Sequence, residues 1–311
     1  MPGGPGRPRG AGRTAGRPSS LAYGGRRARV DRPLPDTVQG ERLAEIIDAW
    51  VHFIPPRPAD QVTPEALSVF DSYGRAEMLT RGTRGEDVIA GMDRAGISIA
   101  ICAGDNGAVV DAVQRFGGRL RGQYHASPMN IMAAVREIRR HAHEYGFIGV
   151  RIEPFLYDRP PTHPSYYPLY AACVEEGLAL QTQVGHTGPL YPSETGRPLY
   201  IDRIALDFPE LRIVCGHIGW PWTEEMIAVA WKHRNVYIDT SAHVPRYYPE
   251  RFVHFLKTFG KDKVLFASDF PLMPFERPLS ELDSLRLPSD VRERFLSGNA
   301  RRAFELDRGV T

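Results

Sequence analysis

Eight short apolar runs between residues 46 and 268, separated by longer stretches of helical pattern, restrict this chain to very few folds. They are Ile46–Trp50, Ile97–Ala103, Gly122–Ala126, Ile148–Ile152, Leu178–Val184, Arg212–Gly216, Val236–Asp239 and Val264–Ser268. Each is short for a helix and apolar on both faces, as a parallel strand held between an inner core and a helical layer must be. Segments such as Met129–Tyr145 and Glu224–His233 supply the crossovers, so the expected fold is a (β/α)8 TIM barrel. An open doubly wound sheet is the alternative, but no GxGxxG or P-loop follows the first run.

Polar or reactive residues follow nearly every run: His52, Asp105, His125, Glu153, Gln183, His217, Ser241 and Asp269. In a barrel the C-terminal strand ends converge on one mouth, where active sites lie. Side chains spread over more than 200 positions thereby meet in one pocket. That convergence points to an enzyme.

The chain's 311 residues exceed the roughly 250 that one barrel takes. The excess lies at the front. Residues 1–40 are rich in Gly, Pro and Arg and nearly free of large apolar side chains, so they are expected to be a disordered basic tail before a single domain at 41–311. Residues 1–35 carry a net charge of +7, which leaves the rest at −5 within the total of +2. A mildly acidic body does not suit nucleic acid. No apolar run approaches the ~18 residues of a membrane span, and the N-terminus lacks the apolar core of a secretion signal. The three cysteines, Cys102, Cys173 and Cys215, are scattered, which fits a reducing cytoplasm. A small molecule is the expected partner, and a homodimer is left open.

The strand-end residues also carry a resemblance. IIDAWVHFIPP (Ile46–Pro56) resembles the opening strand of the amidohydrolase-related family, with its I-D-x-H-x-H pattern. LALQTQVGHTGP is similar to that family's fifth strand, LRIVCGHIGWPW to its sixth, NVYIDTSA to its seventh and KVLFASDFP to its eighth; FLSGNARRAFEL resembles its closing helix. The likeness runs from about residue 44 to 308. It implies decarboxylases of unsaturated or aromatic acids, hydrolases, lactonases or hydratases, including the branch with aminocarboxymuconate-semialdehyde decarboxylase-like members.

The resemblance also implies four metal ligands: two His from the first strand, one from the fifth and an Asp from the eighth. The first His falls on Trp50, the second on His52, the fifth-strand His on Gln183 and the Asp on Asp269. The sixth-strand His is present as His217. Two of the four ligands are therefore replaced. Indole offers only an N–H donor, and an amide oxygen is a poor zinc ligand. No tight metal is expected; a weakly bound Zn or Mn would fall to His52, His217 and Asp269.

Asp269, His217 and His52 are the candidate catalytic residues. Asp269 could act as a base or instead bond its own turn. Trp50, two residues before His52 on one strand, faces the mouth with it, as a stacking wall for a planar substrate or as barrel filling. Arg151 could grip a carboxylate or pair with Glu153. Gln183 could hydrogen-bond substrate, and His186 could swing in as a ligand or simply pack its turn. Trp220 and Trp222 are read as a wall or lid, and His141, His143, His233 and His254 as surface residues. The reading is a hydrolase of a small planar carboxylated molecule, with metal-independent chemistry open to it; the alternatives are a non-oxidative decarboxylase and a non-catalytic binding barrel.

Overall fold

The computed structural model describes residues 45–307; the basic stretch at 1–40 lies outside them. Eight parallel strands follow one another in the order β1 to β8. They are β1 (Ile47–Phe53), β2 (Ile99–Gly104), β3 (Leu120–His125), β4 (Gly149–Ile152), β5 (Ala179–Thr182), β6 (Ile213–Cys215), β7 (Val236–Asp239) and β8 (Val264–Leu265). The fold is a TIM barrel, and each expected run contributes to one strand. β8 meets β1 through backbone bonds rather than a long ladder: Ala49 N to Phe266 O at 3.0 Å, Asp269 N to Trp50 O at 3.1 Å and His52 N to Phe270 O at 2.8 Å.

Alternation along the strands sorts the side chains. Ile99 and Ile101 of β2 pack in the barrel with Val214 and Leu265, whereas Ala100 and Cys102 pack in the outer cluster with helix residues such as Val88 and Ile138. The last helix, Asn299–Phe304, adds Ala300, Ala303 and Phe304 to the inner cluster. The same alternation turns Arg151, Gln181 and Asp239 inward, all without exposed surface.

Two strand ends differ from the sequence pattern. β1 runs past Trp50 to Phe53, so His52 lies within the strand, and its register with β2 shifts between Asp48 and Val51. That bulge lets Ala49 and Trp50, neighbours in sequence, share the inner cluster. β8 stops at Leu265 because side chains replace its ladder partners: Ala267 N donates to Thr240 Oγ1 at 3.2 Å and Ser268 N to Asp48 Oδ2 at 3.1 Å.

Two histidines expected at the surface are buried. His141 shares the inward face of helix Ile131–Tyr145 with Ala134 and Ile138, and its ring lies 4.7 Å from that of Tyr124. His233 Nε2 donates to the Asp202 carboxylate at 2.7 Å. Among the described residues, no helix is long and apolar enough to cross a membrane.

Candidate active site

The seam between β1 and β8 brings residues 52 and 269 together. His52 Nε2 lies 3.0 Å from Asp269 Oδ1. The same nitrogen accepts the indole N–H of Trp50 at 2.7 Å. Trp50 has no exposed surface; the Arg151 guanidinium lies 4.1 Å from its ring centre and the His217 ring 4.7 Å away. Gly216 makes room for this bulk, since a Cβ there would come 2.7 Å from Trp50 Cζ3. Trp50 and Arg151 therefore lie beneath the mouth, packed on one another.

His217 stands on β6's exit with its ring held from below. Its Nδ1 is 2.8 Å from Ser241 Oγ, which is 2.5 Å from Asp239 Oδ1. Asp239 also takes backbone N–H bonds from Ser241 at 3.0 Å and His217 at 3.4 Å, and the Gln181 amide at 3.1 Å. Burial raises the Asp239 carboxyl above its ordinary value, opposed by His217 and these hydrogen bonds. Gln181 Oε1 in turn accepts from Arg151 Nε at 3.0 Å. Burial draws Arg151 down to about 10, so it remains cationic at neutral pH.

The backbone at these exits is unusual. His217, Ile218, Ala242 and Asp269 all have positive φ, at 64°, 51°, 61° and 79°. Non-glycine residues in this region cost of order 1–3 kcal/mol each and gather at functional sites. The exits of β6, β7 and β8 thus aim His217, His243 and Asp269 with locally unfavourable backbone.

The other candidates divide. Gln183 is buried and its Nε2 donates to the carbonyls of Gly185 at 3.1 Å and His186 at 3.0 Å, so it braces the loop after β5. His186 is exposed on that loop, edge-on to Trp220 at 5.3 Å. His125 and Glu153 approach to 3.5 Å at the ends of β3 and β4. Burial pushes the Glu153 carboxyl up, but His125, His52 and Arg151 outweigh it and hold it near 2. Arg151 makes no hydrogen bond to Glu153; its partners are Gln181 and the Val51 carbonyl. Asp105 caps helix Asn106–Phe116 by accepting from Ala108 N at 2.8 Å.

Sequence reasoning missed His243 and the inward Asp239 and Gln181. His243 Nδ1 lies 3.0 Å from the Ser241 carbonyl, and the ring feels the charges of His217, Asp269 and His186. Burial pushes this imidazole down to about 4. Its only sequence signal was its place four residues beyond Asp239. Gln181 and Asp239 could have been found by continuing the two-residue alternation inward from Gln183 and Ser241.

A catalytic divalent centre ordinarily takes three protein ligands. Among the described residues, no three His, Cys, Asp or Glu side chains are placed to hold an ion. The Trp50 N–H occupies His52 Nε2, and Gln183, whose Nε2 is turned to its own loop, leaves only an amide oxygen, a poor zinc ligand. The donor set does not fit the metal centre that the resemblance implies.

The family model described as Amidohydrolase matches residues 47–306. The chain is 24% identical over 251 residues to a gamma-resorcylate decarboxylase of Polaromonas sp., covering 65% of this chain and 76% of that one. Its fold is similar to an uncharacterised TIM-barrel protein from Bordetella bronchiseptica, with TM-score 0.70, 23% identity and 84% and 98% of the two chains covered. It is also similar to a 5-carboxyvanillate decarboxylase from Novosphingobium aromaticivorans complexed with manganese and a nitrobenzoic acid, with TM-score 0.69, 20% identity and coverage of 85% and 97%.

Proposed function

The chain belongs to the amidohydrolase family, and on that premise we propose that it is a non-oxidative decarboxylase of a small aromatic or unsaturated acid. This replaces hydrolysis as the leading reading, because the curated relative is a decarboxylase. One contact carries the proposal. His52 Nε2 accepts the Trp50 N–H at 2.7 Å and lies 3.0 Å from Asp269 Oδ1. The imidazole and the carboxyl are thus held together at the strand exits, with Asp269 aimed by a backbone of positive φ. A carboxyl beside an imidazole at the mouth can hand a proton to a substrate carbon and regain it, the exchange that decarboxylation needs.

In this scheme Asp269 O–H gives its proton to the ring carbon that bears the substrate carboxylate. The C–COO bond then breaks, its electron pair returns to the ring and CO2 leaves. Asp269, now a carboxylate, regains a proton from solvent by way of His217. His52 positions Asp269. Arg151, stacked under Trp50, supplies positive charge below the reacting carboxylate, and Gln183 and His186 shape the loop that contacts substrate. No step is routed through a metal.

The test is turnover on a panel of hydroxylated benzoates, unsaturated acids, esters and lactones, read by product chromatography and CO2 release. The expected result is CO2 from an aromatic or unsaturated acid, and loss of at least about a hundredfold in Asp269→Asn, a general-acid role being worth some 10²–10⁴. Turnover of esters or lactones alone would overturn it, as would full activity in Asp269→Asn. Manganese added to the metal-stripped protein is expected to leave the rate unchanged.

A further inference from the structure

We propose that a one-way hydrogen-bond chain through the barrel interior, Arg151 to Gln181 to Asp239 to Ser241, fixes the proton of His217 on Nδ1 and leaves its Nε2 as a lone pair facing the mouth. Arg151, Gln181, Asp239 and Ser241 are thereby positioning residues. The inference rests on the decarboxylase reading only in giving His217 a part in the reaction.

Each link has one permitted direction. Arginine can only donate, so the Gln181 atom at 3.0 Å from Arg151 Nε is the amide oxygen, and the flipped amide is excluded. Gln181 Nε2 therefore points the other way, donating to the Ala49 carbonyl at 2.8 Å and to Asp239 Oδ2 at 3.1 Å. The Asp239 Oδ1 atom takes the N–H groups of Ser241 and His217, which also only donate. With donors on both oxygens, Asp239 is an acceptor, and the Ser241 hydroxyl donates to it at 2.5 Å. The hydroxyl has one hydrogen, now spent, so at 2.8 Å it accepts from His217 Nδ1–H. The neutral imidazole has no second proton for Nε2.

The chain also accounts for a buried cation that hydrogen-bonds to no carboxylate directly. Arg151 has no exposed surface and, among the described residues, hydrogen-bonds to Gln181 and the Val51 carbonyl, with Trp50 against its face. Its charge is relayed to Asp239 by the polarised amide between them, a distribution that a low-dielectric interior strengthens.

The tautomer can be read without turnover. In protein labelled with 15N-histidine, long-range 1H–15N spectra at neutral pH, assigned with His217→Gln, are expected to show His217 protonated on Nδ1 and bare on Nε2. Ser241→Ala is expected to lose that pattern and to lower kcat tenfold or more with KM nearly unchanged. Ser241→Thr, which keeps the hydroxyl, is expected to restore both. A wild-type His217 carrying its proton on Nε2 overturns the proposal whatever the variants do, and so does Ser241→Ala that keeps the Nδ1–H pattern. If the Nδ1–H pattern is found and lost as expected but no acid is decarboxylated, the chain stands and the decarboxylase reading fails.

Discussion

Asp48 and His243 both sit where their charged forms are disfavoured, and pH acts on them in opposite senses. Burial pushes the Asp48 carboxyl up from 3.8 to about 7, although Ser268 and Trp50 donate to it. Burial pushes His243 down from 6.5 to about 4 against its bond to the Ser241 carbonyl. A carboxyl raised in the folded state binds more protons folded than unfolded, so its contribution to stability shrinks as pH climbs through the interval from 3.8 to about 7. A depressed imidazole binds fewer, so its contribution grows as pH climbs from about 4 to 6.5. Each slope reaches at most about 1.4 kcal/mol per pH unit, and in the shared window they oppose one another. Relative to wild type, Asp48→Asn should therefore gain stability between about pH 4.5 and 6.5, and His243→Gln should lose it. Urea unfolding at the two pH values measures both differences; parallel behaviour of all three proteins would contradict the burial of these groups.

The bulge in β1 and the glycine at the end of β6 are matched elements. The bulge turns Trp50 inward, and Gly216 leaves the space its ring fills. Gly216→Ala should cost about 1–3 kcal/mol in denaturant unfolding, the usual penalty of overpacking. Trp50→Phe, shorter at the far edge of the ring, should recover part of that loss when combined with it, so the two effects will not add. Full additivity would show that the ring and the glycine are not in contact. The same elements mark how far the sequence could be read. Strand positions were legible because burial on both faces writes a continuous apolar run, and His52, His217 and Asp269 were legible because strand ends gather at the mouth. The bulge was not, since nothing local to Asp48–Val51 announces it. The Asp239–Ser241–His217 contacts were hidden too, because they depend on which strand stands beside which. Arg151 was read as a grip for carboxylate or as a partner of Glu153, and only the observed packing shows it against Trp50 and Gln181.

At the scale of the whole barrel, the proposed acid and its imidazole partner come from opposite ends of the fold and meet across the β1–β8 junction. That junction holds by a few backbone bonds and a β8 only two residues long. Local opening draws on the least stable parts of a structure first. Activity should therefore fall at lower urea than far-UV circular dichroism, with the gap closing if β1 and β8 are cross-linked; coincident transitions would show the junction to be as firm as the rest. The order of synthesis gives the same junction another meaning. A nascent chain whose β8 segment is still inside the ribosome already displays every strand end up to Ser241, but it lacks Asp269, the proposed acid. Closing the barrel and arming it are one event, so an unfinished or frayed copy is chemically silent rather than carelessly reactive.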